Sequence, residues 1–318
     1  MKQHIAILYA DSRFTPWKEN VDTSTVKKVH QALSPTYEAD IIHMVEPCLA
    51  LAELLSEYDC VVNLCYGFKN MMQWEVAAWL DEHRIVHLSS SGIVQKLVQN
   101  KLQVEALLCG FGLPVARTIT SANQIEDRTY IIKPVAGGCH RNISIVRGDE
   151  LYQKYFLLDP AEWMIQPYIE GREFSVAILP DASGLSFQAL YPVEIVPYPK
   201  REVYIAGQEY GTTERDFHPV LEPVLHDELI RVALSAHRYT GLEYFSRCDF
   251  RVQNNHVYLL DVNAMPNLHP VRSLFPQILR HQNMSIKTLL KRMLARRHFL
   301  HQGTGKNSTE GSVYISLN

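Results

Sequence analysis

Strand-length apolar runs alternate with amphipathic stretches of helical length over residues 1 to about 90, and that alternation constrains the fold more than any other feature. Ile5 to Tyr9, Ile41 to Val45, Cys60 to Leu64 and Ile85 to Leu88 read as strands, and segments near Thr23 to Leu33, Leu49 to Tyr58 and Met71 to His83 read as helices. Strands separated by helices are not joined by tight hairpins, so a parallel sheet with helical crossovers is expected. No GxGxxG follows the first strand, so the layout has the shape of a dinucleotide fold without its phosphate-binding chemistry.

The 318 residues suffice for two or three small domains with sizeable cores. A hydrophobic share of 47% with 20% charged residues matches a globular chain, and no apolar run reaches the roughly 20 residues a membrane helix needs, so no membrane is expected as a partner. A net charge of −3 offers no basic field for nucleic acid. The basic run Lys291-Arg292 with Arg296-Arg297-His298 falls on an expected terminal helix and reads as a solvated face. The amino terminus reads as a strand rather than a signal peptide. Six cysteines (Cys48, Cys60, Cys65, Cys109, Cys139, Cys248) form no CxxC pair and read as buried thiols, so a cytoplasmic address is expected.

From Gly92 a helix is expected to reach Cys109, after which Phe111-Gly-Leu-Pro-Val leads into hairpin-like strand pairs. A second change of texture falls at Pro180 to Gly184, followed by strands, a Tyr- and Pro-rich loop over Tyr191 to Thr213, a helix from Asp227 to Tyr239 and a closing hairpin. The expected division is an N-terminal α/β domain over 1–91, a central α+β part over 92–183, a C-terminal antiparallel-sheet part over 184–298, and a flexible tail over 299–318.

The closing hairpin carries the chemistry. In Phe245 to Val252 the residues Arg247, Asp249 and Arg251 share one strand face, and in His256 to Asn263 the residues Asp261 and Asn263 share one. Register decides whether these groups meet, because a slip of one residue sends a side chain to the opposite face. A three-residue turn, Gln253-Asn254-Asn255, pairs Val252 with His256 and gathers Arg247, Asp249, Asp261 and Asn263 on one face; a two-residue turn separates them. In the expected register Asp249 and Asp261 are diagonal neighbours about 7–8 Å apart, close enough to share divalent cations.

Upstream, Tyr130-Ile-Ile-Lys133-Pro is a short strand ending in a lysine, followed by the loop Val-Ala-Gly137-Gly138-Cys139-His140. Such a loop lets backbone N–H groups approach phosphates, although the helix and GK[ST] signature of a P-loop are missing. Gln166 and Glu173 follow in an apolar segment, a polar turn and a strand. The series Asn100-Lys101, Lys133-Pro134 with Gly137-Gly138, Ile169-Glu-Gly-Arg-Glu173, Arg247-Cys-Asp249 and Asp261-Val-Asn263 resembles the ATP-grasp superfamily, and within it the D-alanine:D-alanine ligase branch. The similarity covers residues 92 to about 290 closely and the first 90 only in layout.

The resemblance implies an ATP-grasp fold and an ATP-dependent ligase. ATP would phosphorylate a carboxylate, an amine would attack the acyl phosphate, and ADP and phosphate would leave. Lys101 and Lys133 correspond to lysines that hold ATP phosphates, and Gly137, Gly138, Cys139 and His140 to the loop that closes over them. Gln166, Tyr168, Ile169 and Leu260 correspond to the adenine side and Glu173 to the ribose ligand. Asp249, Asp261 and Asn263 correspond to the ligands of two magnesium ions, with manganese as an alternative, and Arg247 to the catalytic residue facing the reacting carboxylate. Relatives in this branch are often homodimers.

Several positions depart from that pattern. Gln166 stands where a glutamate is usual, Cys139 replaces a loop serine, and Glu209-Tyr210 takes the place of a Lys-Tyr pair. In Lys18-Glu19-Asn20, Glu19 is the nearest candidate for the carboxylate that holds the first D-alanine's amine. Arg272 and Ser273, in an acceptor loop one residue longer than usual, are candidates for binding an acceptor carboxylate. The losses at Glu209-Tyr210, around Glu19 and in the acceptor loop fall on substrate-facing parts, while the ATP parts remain. They imply another amino acid and carboxylate-type acceptor, as in specialised metabolism such as mycosporine-like amino acid assembly. The alternatives are a D-alanine:D-alanine ligase of peptidoglycan synthesis and a non-catalytic ATP-binding regulatory protein.

Overall fold

The computed structural model describes residues 2–10, 23–68, 71–136, 142–197 and 213–303. Its first third contains β1 (His4–Ala10), α1 (Thr23–Leu33), β2 (Glu38–Met44), α2 (Leu49–Ser56), β3 (Cys60–Asn63), β4 (Gly67–Phe68), β5 (Met71–Met72) and α3 (Gln73–Glu82). Strands β2, β1 and β3 form a parallel sheet in that order, as the alternation requires. Helices cover both faces, so β1 is apolar on both: Ile5 and Ile7 enter one core, while Ala6, Leu8 and Ala10 enter another with Leu55 of α2 and Leu80 of α3. The strand expected at Ile85 to Leu88 is reduced to a single parallel bridge between Val61 and His87, because the chain turns almost at once into the next helix.

That helix departs from expectation. Instead of one helix from Gly92 to Cys109 there are two, α4 (Gly92–Gln99) and α5 (Lys101–Gly110). Asn100 breaks them: its backbone is extended and bridges Ala136, and its side chain accepts from the Gln103 N–H at 3.1 Å. Asparagine is a better cap than helix interior, and the break points the first turn of α5 at the neighbouring strand.

The small antiparallel sheet that follows comprises β6 (Thr129–Pro134), β7 (Ser144–Arg147) and β8 (Trp163–Pro167), in the order β7-β6-β8, with α6 (Gly148–Lys154) beside it. It keeps a core of its own, made of Ile119, Tyr130, Ile132, Val146, Leu151 and Ile165. The larger sheet takes β9 (Arg172–Pro180), β10 (Phe187–Ala189), β11 (Val193–Pro197), β12 (Thr213–Asp216), β13 (Ser246–Gln253) and β14 (His256–Asn263). Its order is β12-β11-β9-β13-β14, with β10 on β9. Helix α7 (Pro223–Tyr239), which begins four residues earlier than expected with proline in its first turn, packs on one face. Helices α8 (Leu274–His281) and α9 (Ile286–Gly303) close the chain. Core residues of α9 and β9 join those of β1 and α1 in one cluster, so the N-terminal sheet and the larger sheet share a core. Among the described residues no helix is long and apolar enough to cross a membrane.

Candidate functional site

The hairpin of β13 and β14 does not turn as expected. Gln253 pairs with His256, leaving a two-residue turn of Asn254 and Asn255 at φ +50° and +62°. This left-handed pair suits asparagine and matches the twist of the flanking strands. A uniform ladder from that turn would send Asp261 to the face opposite Asp249. A β-bulge between Asp249 and Phe250 absorbs Leu260 and restores the parity, so Asp249 lies directly opposite Asp261, not diagonal to it, and Arg247 lies opposite Asn263. The bulge is written in the burial: Val257 and Leu259 point into the core before it, Val262 after it.

One face of the sheet therefore carries Glu173 and Ser175 from β9, Arg247, Asp249 and Arg251 from β13, and Asp261 and Asn263 from β14. Arg247 donates to both Asp249 oxygens, Nε to Oδ1 at 2.8 Å and Nη2 to Oδ2 at 2.9 Å. The Ser175 hydroxyl donates to Oδ1 at 2.6 Å and Asn263 Nδ2 donates to Oδ2 at 3.1 Å. Those four bonds fill the lone-pair positions of one carboxylate. Asp261 is less engaged, with Oδ1 accepting the Val262 N–H at 3.0 Å. Because Asn263 turns its NH2 to Asp249, its carbonyl oxygen points elsewhere. Sequence reasoning missed Ser175, although it stands two residues after Glu173 on the same strand face.

Lys133, at the end of β6, is buried and donates to the bulged Leu260 carbonyl at 3.3 Å. Burial pushes its pKa down to about 8, with the Asp261 charge pulling upward and Lys101 pushing further down. Lys101 opens α5, its backbone N–H donating to the Val135 carbonyl at 3.0 Å. Lys101, Glu105, Met164 and Gln166 on one side, and Leu259 to Val262 on the other, line a cavity of about 20 Å³, room for a single water.

Gln166 is buried, and its amide donates to the Ala116 carbonyl at 2.7 Å and to Glu105 at 3.1 Å. Glu105 was also missed; one helical turn after Lys101, it shares that residue's face of α5. Tyr168 and Ile169 are half-buried in the connection from β8 to β9, and the Arg251 guanidinium lies 5.6 Å from the Tyr168 ring centre. Arg251 also binds Glu173 at 2.8 Å and donates to the Gly171 carbonyl at 3.1 Å, so the expected ribose ligand has a protein cation beside it.

In the acceptor segment Arg272 is exposed with Nε 3.2 Å from His269 Nε2, and the Ser273 hydroxyl donates to Asn267 at 3.0 Å. The Tyr66 hydroxyl donates to the Pro266 carbonyl and accepts the Leu268 N–H, each at 3.2 Å, tying this segment to the N-terminal part. Glu19, Gly137, Gly138, Cys139, His140, Glu209 and Tyr210, with the tail beyond 303, lie outside the described residues. Among the described residues no three of His, Cys, Asp and Glu gather as a metal site, so the hard donors here are two carboxylates and one amide.

Two β-sheet bodies facing each other across lysines on one side and paired carboxylates on the other define the ATP-grasp class. Solved structures share the fold. The D-alanine–D-alanine ligase from Bacillus anthracis complexed with ATP superposes with a TM-score of 0.71 at 18% identity, covering 95% of this chain and 100% of that one. The ligase from Coxiella burnetii gives 0.72 at 16% identity, covering 96% of each. A family model described as D-ala D-ala ligase C-terminus matches residues 119–295. The D-alanine–D-alanine ligase of Geobacter sulfurreducens is 26% identical over 269 residues, 80% of this chain and 83% of that protein. That of Sphingopyxis alaskensis is 29% identical over 222 residues, 64% of this chain and 70% of that protein. With a family model matching more than half of its length, the chain belongs to the D-alanine–D-alanine ligase family.

Proposed function

We propose that this protein uses ATP to activate a carboxylate as an acyl phosphate and joins it to an amine, releasing ADP and phosphate. The observation that carries this reading is the gathering of Arg247, Asp249, Asp261 and Asn263 on one sheet face, with the buried Lys133 held 3.3 Å from the Leu260 carbonyl, next in the chain to Asp261. Two carboxylates and an amide oxygen are hard donors suited to magnesium, whose other ligands are commonly water and phosphate oxygens. Asp261, Asn263 and, once it gives up a bond to Arg247, Asp249 would hold the ion, which would offset charge on the transferring phosphoryl group.

Lys101 and Lys133 hold the phosphates as fixed positive charges. Arg247 presents a planar donor pair to the reacting carboxylate and then to the oxyanion of the tetrahedral intermediate. Gln166, Tyr168, Ile169 and Leu260 line the base, and Glu173, steadied by Arg251, meets the ribose. The small sheet and the larger sheet would hold the nucleotide between them. The link between them is the segment from Pro167 to Gly171.

For the substrates, the departures at Glu209-Tyr210 and in the acceptor loop favour an amino acid and a carboxylate-type acceptor other than two D-alanines, as in specialised metabolism. A second reading, D-alanine joined to D-alanine, is favoured by a relative of that name aligned over 83% of its length. Phosphate release measured with ATP, magnesium and a panel of D-alanine, other amino acids and carboxylate acceptors separates the two. Turnover with D-alanine alone would overturn the first; turnover only with another pair would overturn the second.

A further inference from the structure

We infer that Glu105 sets which purine the cleft accepts, by holding Gln166 so that its carbonyl oxygen rather than its amino group faces the base. The inference rests on the reading of Gln166 as an adenine-side residue. Gln166 is 3% exposed, and its Nε2 lies 2.7 Å from the Ala116 carbonyl and 3.1 Å from Glu105 Oε2. A carbonyl and a carboxylate only accept, so the group between them has to be the NH2, and the flipped amide is excluded on chemical grounds. Both hydrogens are thereby used, and the carbonyl oxygen is what Gln166 has left to offer a ligand.

Both anchors are themselves fixed. The Thr118 N–H and hydroxyl donate to the two Glu105 oxygens at 2.7 and 2.6 Å. The Ala116 N–H donates to the Leu259 carbonyl at 3.2 Å, beside the bulge that brings Leu260 to Lys133. A glutamate at position 166 would be an acceptor in any orientation. A glutamine is a donor or an acceptor according to what braces it, and here Glu105 and Ala116 decide. An oxygen in that place accepts from the 6-amino group of adenine and opposes the 6-oxo group of hypoxanthine or guanine. Glu105 is thus a positioning residue and Gln166 the group that discriminates.

The test is equilibrium binding of ATP and of inosine triphosphate, each with magnesium, to the full chain and to Glu105→Gln and Gln166→Met variants. The wild type should favour ATP by at least about tenfold, the scale of one hydrogen bond exchanged for an opposed pair of acceptors. Glu105→Gln keeps shape and volume, but its new oxygen is claimed by the Thr118 N–H. Its NH2 then opposes that of Gln166, and the preference should fall to within about threefold. Gln166→Met should do the same without involving Glu105. A role for Glu105 in packing alone would lower the melting temperature, or weaken both nucleotides equally, with the ratio unchanged; that result overturns the inference, as does a wild type that binds both nucleotides alike. ATP-selective binding without phosphate release from any acid and amine would overturn the ligase reading and leave this one standing.

Discussion

Replacing Lys133 with methionine should make the nucleotide-free protein more stable while removing its capacity to hold ATP. Lys133 is 8% exposed, and burial lowers its pKa from 10.5 to about 8. That gap, at about 1.36 kcal/mol per pH unit, means that keeping the ammonium charged in the fold costs about 3 kcal/mol at neutral pH. Methionine is unbranched, of similar length and uncharged, but it gives up the bond to the Leu260 carbonyl, worth about 1 kcal/mol net. The variant should therefore be about 2 kcal/mol more stable at about pH 7. The unfolded chain holds this proton up to its ordinary pKa, so the wild type's penalty is complete below about 8 and disappears as pH rises from there towards 10.5. The gap between the two proteins should close over that window. Urea unfolding at about pH 7 and about pH 10 reads it, with nucleotide binding measured in parallel. A variant less stable than the wild type at neutral pH, or a gap independent of pH, would refute the reasoning.

Three further outcomes are expected. Ser175→Ala removes a 2.6 Å donor from Asp249 and should lower kcat/KM by about tenfold with a stability loss of about 1–2 kcal/mol, read by steady-state kinetics and thermal unfolding. At Asn255, φ +62°, alanine should cost about 1–2 kcal/mol in urea unfolding and glycine should restore most of it, because only the first meets the left-handed penalty. Gly171→Ala places a Cβ 2.1 Å from the Val252 carbonyl at φ +125° and should destabilise by more than about 1 kcal/mol in a thermal melt. Because the Gly171 carbonyl also anchors Arg251, nucleotide affinity should fall with it.

The parallel sheet at the amino terminus was legible because two-sided burial and helical crossovers both write themselves into hydrophobic period. The hairpin was legible in content and misread in register. Val257 and Leu259 share odd positions with Asp261 and Asn263, so the apolar face of β14 changes parity between Leu259 and Val262. That change is the trace of a bulge, and it was available in the letters His-Val-Tyr-Leu-Leu-Asp-Val-Asn. Read as a uniform strand, the segment demanded an odd turn; the structure keeps the two-residue Asn-Asn turn and places the odd residue at Leu260 instead. Asn100 was equally visible as a capping type but lay inside an apolar period that argued for one continuous helix. Glu105 and Ser175 carried only weak signals, one helical turn after Lys101 and two strand positions after Glu173. Their partners, Gln166 at 61 residues and Asp249 at 74, are brought near only by tertiary packing.

Phosphorylation of a carboxylate by ATP at the face formed by Asp249, Asp261 and Asn263 moves a carboxylate oxygen into the released phosphate. It is tested most directly by following the carboxylate oxygen. With an acid substrate labelled with oxygen-18 in its carboxyl group, taken from the pair that supports phosphate release, one labelled oxygen should appear in the released phosphate for each product formed. Asp261→Ala should abolish both label transfer and product. Product formed with unlabelled phosphate, or an Asp261→Ala protein that transfers the label at the wild-type rate, would contradict the account.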